Sequence, residues 1–371
     1  RVAVRNKMTR HLVFRVEDLR SYVEAFFKKF DTSQEDAAIA ADILISADLR
    51  GISSHGIIRL HTYYGDRLVK KQINPHAPLT VVRETPNSLL LDGENGLGQL
   101  VGYRSMTRCI EKANQAGLAM VTVRNSNHYG IAGYYAMMAL KENMIGISLT
   151  NSQPLVAPTY GKSAILGTNP IAVAVPAGSE RPYVLDMATS IVPIGRITVY
   201  EKAGKEIPTG WGIDGNGNVT NDPTRVLNGG ALMPLGGTDI LAGYKGYGLS
   251  LLVDILCGVL SGASFGVDVG HPSENRGANV GHFFAAFRVD NFRPLVDFQQ
   301  DMDRLIRQLK DAPKAEGQER IYIHGEKEFI KSELYQKEGI PLLPEVIKSL
   351  VEAGKKVGLV FDLQSSGELD I

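Results

Sequence analysis

Residues 124–136 read RNSNHYGIAGYYA. The stretch joins a strand to a helix, and the spacing of its glycines decides what kind of joint it is. LAMVTVR, residues 118–124, alternates apolar and polar or β-branched residues and predicts a strand ending at Arg124. Asn125, Ser126 and Asn127 make a polar turn, and Tyr129 to Glu142 carries helical spacing. A Rossmann-type dinucleotide fold places GxGxxG at such a turn, and no strand of this chain is followed by one. GENGLG, GNGN and GYKGYG are glycine-rich without that spacing, and Walker A, HExxH and GxSxG sequences are absent.

Outward from this joint, strands and helices alternate loosely. Ser33-Gln-Glu-Asp36 predicts an N-cap for a helix running to Arg50, with Gly51 as its C-cap. Ser53 or Ser54 then caps a second helix, with Ile57, Leu60, Tyr64 and Leu68 as its apolar face. LTVVRE and SLLLDG form two strands around a Pro/Asn turn, and Gly98 to Ala116 is helical. MIGISLT, IAVAVPA, YVLDMA and HFFAAFRVD are strand-like, and Gly246 to Leu260 is helical. VTNDPTRVLNGG and ASFGVDVGHPSENRGAN are loops. From Pro294 the chain is mostly helical around a short IYIHG strand. The fold class is α/β with α+β character. The expected divisions are a helical segment over 1–75, a sheet domain over 76–292, and a C-terminal helical segment over 293–371 that packs with the N-terminal helices.

Bulk properties narrow the function. Lys plus Arg and Asp plus Glu are equal at 40 each, so no net field favours nucleic acid or an anionic membrane. The 39 glycines among 371 residues exceed the usual share of about 7% and point to tight turns and close backbone approaches. Cys109 and Cys257 are the only cysteines, which argues against a disulfide framework and for a reducing cytoplasm. No Cys/His spacing suggests a metal. RVAVRNKMTRHLVF at the start is basic and lacks the apolar core of a signal peptide. GLSLLVDILCGVLSGASFGV, 248–267, approaches membrane-spanning length, but Asp254 and its glycines favour a buried helix followed by a loop.

Four clusters carry chemistry. On a helix capped near Ser54, His55 and Arg59 share a face, and Arg offers a planar fork that matches a carboxylate. The same spacing also describes an ordinary capped helix with a surface histidine and arginine. His128 at a helix start feels the positive helix end, which favours the neutral ring that a general base requires. Asn151, Ser152, Thr168 and Asn169 stand at strand ends, where short polar groups hydrogen-bond ligands; Thr168 and Asn169 are assigned to the substrate. Asp186, in LDMATS, is placed to accept ribose hydroxyls. Lys245, bracketed by glycines in GYKGYG, suits a phosphate. Taken singly, each of these is also compatible with plain turn chemistry.

In this order, SSHGIIR, NSNHYGIAGYYA, GTNPIAVAVP, DMATS and GYKGYGLSLLVDILCGVLSG resemble the type-2 malate/L-lactate dehydrogenase family over roughly residues 12–360. The family includes malate, lactate, sulfolactate and ureidoglycolate dehydrogenases and reductases of diketogulonate and cyclic imino acids. The resemblance implies a non-Rossmann NAD(P)-binding domain on a largely antiparallel sheet, here 76–292. It also implies a homodimer whose active site draws on both subunits. Carried over by position, His55 and His128 are the acid/base candidates, and Ser54 and Arg59 hold the substrate carboxylate. Ser152, Asp186, Met187, Ala188 and Lys245 contact the cofactor, and Gly325-Glu326 resembles a late PGE segment in which His324 replaces proline. Gln153 stands where some relatives carry an acid.

The expected reaction is reversible hydride transfer between nicotinamide and C2 of a 2-hydroxy or 2-keto acid, malate/oxaloacetate or lactate/pyruvate first. Reduction of a cyclic imino acid or another 2-keto acid on the same scaffold is the alternative. His128 is favoured as the base and His55 as the polarising group, with the reverse assignment open. Asp186 would repel a 2′-phosphate, which tilts the choice to NAD over NADP. No metal, nucleic acid or membrane partner is expected.

Overall fold

The protein is described by a computed structural model over residues 10–271 and 274–370. The chain divides into two compact units, one made of 1–76 with 326–371 and the other of 77–325.

The larger unit is built on a seven-stranded sheet. Its spatial order is Thr80–Thr85, Ser88–Asp92, Leu118–Ser126, Val280–Arg288, Met144–Thr150, Ile171–Val175, Tyr183–Met187. Ser88–Asp92 and Leu118–Ser126 pair in parallel, and the other neighbours are antiparallel. A parallel pair needs a long crossover, and the helix Gly98–Ala116 supplies it. VGHFFAAFR takes a central place because it can be buried on both faces. On one face Phe284 packs against Tyr129 and Tyr135, and on the other Phe283 and Ala285 pack with Val253 and Cys257. Mixed helices and strands were expected, and the hairpin over 80–92 and the helix over 98–116 form where the sequence pattern places them.

Three differences matter. IYIHG forms no strand, although the Val184 N–H donates to the His324 carbonyl at 3.1 Å. Residues 293–325, grouped by sequence with the C-terminal helices, fall within the larger unit. There the Asp303 carboxylate, on the helix Leu295–Asp311, accepts from the N–H groups of Gly178, Ser179 and Glu180 at 2.9, 2.7 and 3.1 Å. The apolar run after Gly248 is not a buried helix. It continues the helix Gly243–Asp254 into a π turn over Ile255–Val259, and Leu251, Leu252, Ile255, Val259 and Leu260 stay exposed along one side. Ser250, Val253, Asp254, Cys257, Gly258, Ser261 and Ala263 of this stretch are buried.

The smaller unit wraps helices around a three-stranded sheet in which Arg10–Phe14 lies between Ile340–Leu342 and Gly367–Asp370. The helix Gln34–Leu49 is capped as the sequence predicts, with Ser33 Oγ accepting the Asp36 N–H at 3.0 Å. It ends in a Schellman motif. Gly51 takes φ +72°, and the Ile52 and Gly51 N–H groups reach the Ala47 and Asp48 carbonyls at 2.8 and 2.9 Å. No described helix is long and apolar enough to cross a membrane.

Candidate functional site

The first histidine sits just beyond that helix end. The single capped helix expected from Ser54 onward does not form. Ser53–His55 is one 3₁₀ turn, Leu60–Gly65 is a π turn, and a short α turn follows over Asp66–Val69. π turns are often found at functional sites. The reason lies in Asp48, which is buried beneath the turn. Its carboxyl accepts the Ile57 N–H at 2.7 Å, the work a serine cap would have done. It also fills the space above Gly56, where a Cβ would stand 2.1 Å from Oδ2. Ser54 Oγ instead bonds His55 Nδ1 at 2.9 Å. Arg59 folds back over its own turn. Its Nε donates to the Ser54 carbonyl at 2.5 Å, and its guanidinium lies 4.4 Å from the Tyr63 ring centre. Ile57, Leu60, Tyr64 and Leu68 are buried, as their spacing predicts.

Electrostatics follow from this packing. Burial, and then the Arg59 charge, lower the His55 pKa to about 4, so the ring is neutral at neutral pH. Burial raises Asp48 to about 8 against the opposing pull of the Ile57 N–H.

The second histidine stands on the sheet unit. The strand ends at Ser126 and the helix begins only at Ala132, so His128 precedes the helix rather than opening it. A helix-end field fades within its first turn, so it is not what sets this ring. The turn is seated by backbone and amide groups. Asn127 Nδ2 donates to Asn95 Oδ1 at 3.1 Å and to the Gly96 carbonyl at 2.8 Å. Gly98 lies flat against the turn, where a Cβ would meet the Asn127 and His128 carbonyls at 2.2 Å. GENGLG, glycine-rich without a dinucleotide spacing, is therefore the seat of His128. The Gly130 N–H approaches His128 Nδ1 at 3.4 Å.

The polar strand ends form one hydrogen-bonded group. Ser152 Oγ accepts the Thr168 N–H at 3.1 Å, and Thr189 Oγ1 donates to the Thr168 and Asn169 carbonyls at 3.1 and 3.0 Å. Asn169 is fully buried: its Oδ1 takes the Ser152 N–H at 3.2 Å and its Nδ2 donates to the Ser250 carbonyl at 3.0 Å. That side chain braces the group. Met187 and Ala188 lead into Thr189 and are half-buried. Asp186 Oδ2 accepts the Gly133 N–H at 2.9 Å, so this carboxylate caps the helix after His128. Asp254 joins a buried network with Asn151 Nδ2 at 2.9 Å and the Gly266 N–H at 2.8 Å, and burial raises its pKa.

GYKGYG differs from a phosphate nest. The Gly243 and Lys245 N–H groups already reach the Thr238 and Ala242 carbonyls at 2.9 and 3.0 Å. Gly243 and Gly246 serve close packing, since a Cβ on either would meet the Gly237 or Leu235 carbonyl within 2.2 Å. Lys245 itself is exposed. Gly325, with φ +88°, lies on the strand Tyr183–Met187, where a Cβ would be 2.8 Å from Val184 Cβ. Glu326 opens the helix Glu326–Glu338 of the smaller unit and is buried there. Among the described residues, no group of three or more His, Cys, Asp or Glu side chains is placed to hold a metal ion.

Two residues were missed by sequence reasoning. Asp48 hides in a regular helical pattern, although a charged residue in an apolar helix seven positions before a histidine is a signal. His282 is a polar ring inside HFFAAFRVD, and it is fully buried.

The chain is similar to known proteins over most of its length. The sequence profile of a family described as malate/L-lactate dehydrogenase matches residues 14–351. The chain is 51% identical over 342 residues to a malate dehydrogenase of Pyrococcus horikoshii, covering 92% of this chain and 94% of that protein. It is 37% identical to an L-sulfolactate dehydrogenase of Methanocaldococcus jannaschii, covering 94% and 98%. The crystal structure of a malate dehydrogenase from Entamoeba histolytica superposes with a TM-score of 0.90 at 37% identity, covering 95% of this chain and all of that one.

Proposed function

This chain belongs to the malate/L-lactate dehydrogenase family, and from that premise we propose that it interconverts malate and oxaloacetate with a nicotinamide cofactor. It is an oxidoreductase of 2-hydroxy acids. The 51% identity to a malate dehydrogenase carries the choice of substrate, and the electrostatic state of the SSHG turn carries the division of roles between the histidines. A ring with its pKa lowered to about 4 is uncharged at neutral pH. It suits a hydrogen-bond donor to the substrate oxygen rather than a group that gains and returns a proton, which works best with a pKa near the operating pH. The proton is therefore assigned to His128. Arg59, with its planar fork, and Ser54 take the substrate carboxylate. Thr168 lines the substrate side, and Asn169 acts by holding Ser152 in place.

The cofactor fits the sheet edge on three counts. The Ser152 and Thr168 hydroxyls stand together, Gly325 brings backbone against the strand that carries Asp186 and Met187, and Lys245 is an exposed cation. These residues, with Ala188, would hold NAD in a non-Rossmann setting, and Asp186 favours NAD over NADP by repelling a 2′-phosphate. A bound nicotinamide supplies the hydride donor and acceptor. The chain's own groups orient the acid, polarise its C2 oxygen and move one proton at His128.

The exposed apolar side of the segment 243–260 supports a homodimer, because a run of Leu251, Leu252, Ile255, Val259 and Leu260 left in water is unfavourable. Both cysteines are buried free thiols, which accords with a cytoplasmic protein. The test is a panel of oxaloacetate, pyruvate, sulfopyruvate and piperideine-2-carboxylate with NADH and NADPH. Oxaloacetate with NADH should give the highest kcat/KM. Preference for the cyclic imino acid would favour the alternative, and no turnover with any pair would end the proposal. Light scattering should report a dimer.

A further inference from the structure

The strand Val280–Arg288 separates the two strands whose ends lead to His128 and to Ser152. His282 stands opposite Thr150 on one side. On the other side the register slips between Val280 and His282, which pair with Ser126 and Val123. The slip leaves Asn125 in the left-handed region at φ +53°. Bulges of this kind re-aim the residues that follow, here the turn ending in His128.

The His282 ring bridges this irregular end. Its Nε2 lies 2.7 Å from Ser126 Oγ and its Nδ1 2.8 Å from Thr150 Oγ1. Donor directions follow from the neighbours. Thr150 Oγ1 is 3.1 Å from both the Asn151 and Gly281 carbonyls, which can only accept, so the threonine hydroxyl donates there and accepts from Nδ1–H. A neutral ring then has a lone pair on Nε2, which accepts the Ser126 hydroxyl. Tyr129 covers the ring at 4.5 Å with an interplanar angle of 3°, and its own hydroxyl is 3.0 Å from Ser148 Oγ. Burial lowers the His282 pKa to about 3, so the ring stays neutral across the neutral range.

We propose that His282 is a positioning residue that ties the strand end before His128 to the strand end before Ser152, each two residues from its bonded hydroxyl. The proposal rests on the roles given above to His128 and Ser152. Its consequence is a division of labour along one ring: the Ser126 bond sets the aim of His128, and the Thr150 bond sets the cofactor-side hydroxyl of Ser152.

Single hydroxyl deletions test it without emptying the core. Ser126→Ala should lower kcat for oxaloacetate by about 10- to 100-fold, the scale of a sub-ångström to one-ångström misplacement, with the NADH Kd within about twofold. Thr150→Val should raise the NADH Kd, measured by nicotinamide fluorescence, by about tenfold, and Thr150→Ser, which keeps the hydroxyl, should restore it. If both variants fold, lose only thermal stability, and keep kcat and Kd within about twofold, His282 is merely structural and the inference fails. If the unaltered chain binds NADH and turns over none of the acids, the functional reading fails instead, and the Thr150→Val shift in Kd still decides this inference. If it neither binds nor turns over, both fall.

Discussion

The two histidine turns are built by opposite means. SSHG rests on a buried acid and carries a cation beside the ring; NSNH is seated on amide side chains and flat glycine backbone. Around His55, burial and Arg59 both disfavour the charged ring, and Asp48 fixes the backbone from below. Around His128, Asn95, Asn127 and Gly96 hold the chain without formal charge. The difference teaches that two histidines in one family pattern need not share a task. The one held neutral by its surroundings suits orienting and polarising, and the proposed proton transfer is therefore assigned to the other.

Replacing the rings sharpens this contrast most. His128→Gln should lower kcat by about 10²–10⁴-fold with the NADH Kd unchanged, the usual range for loss of a general acid/base. His55→Gln should be milder and show mainly in KM, because an amide still donates a hydrogen bond. Equal losses in kcat would erase the comparison.

The floor of the first turn comes next. Gly56→Ala drives a methyl group into the Asp48 carboxyl. It should cost about 1–3 kcal/mol in stability, an overpacking penalty, read from denaturant unfolding. The same methyl displaces the SSHG turn, so kcat/KM should fall as well. A variant as stable as the parent would show that Asp48 is not the support described.

Smaller still is Arg59→Lys, expected to raise KM for oxaloacetate about tenfold, or about 1.4 kcal/mol, with kcat within a few-fold, since Lys lacks the planar fork. An unchanged KM would remove Arg59 from the carboxylate.

A separate effect, on stability and not on turnover, is the response to acid. His55 and His282 have folded pKa values lowered to about 4 and about 3. Unfolded histidines bind protons below about 6.5, so these groups contribute stability above that pH which is lost as pH falls toward 4 and 3. Thermal melts should show Tm falling through this window, and His55→Gln should make the slope shallower. A slope unchanged by His55→Gln would mean the ring is not held neutral.

Much of this was legible beforehand, and the failures have physical causes. The strand-to-helix joint at NSNH, the hairpin over 80–92 and the Ser33 cap follow local rules, so local patterns find them. The helix predicted from Ser54 fails because Asp48, from the preceding helix, takes the N–H that a serine cap would take. GYKGYG imitates a phosphate nest, but its glycines answer to the backbone of Leu235 and Gly237, which no local spacing reveals. The run after Gly248 looks like core because it is apolar on all sides, whereas a single copy of the chain covers only the side bearing Val253 and Cys257. His282 was passed over because its partners, Ser126 and Thr150, lie 156 and 132 residues away.

The pH dependence of kcat/KM, measured on the parent, His128→Gln and His55→Gln side by side, tests the division between the two turns most directly. The account predicts an ionisation in the parent profile that vanishes in His128→Gln and survives in His55→Gln. An ionisation that survives in His128→Gln and vanishes in His55→Gln would place the proton on the other ring and contradict it.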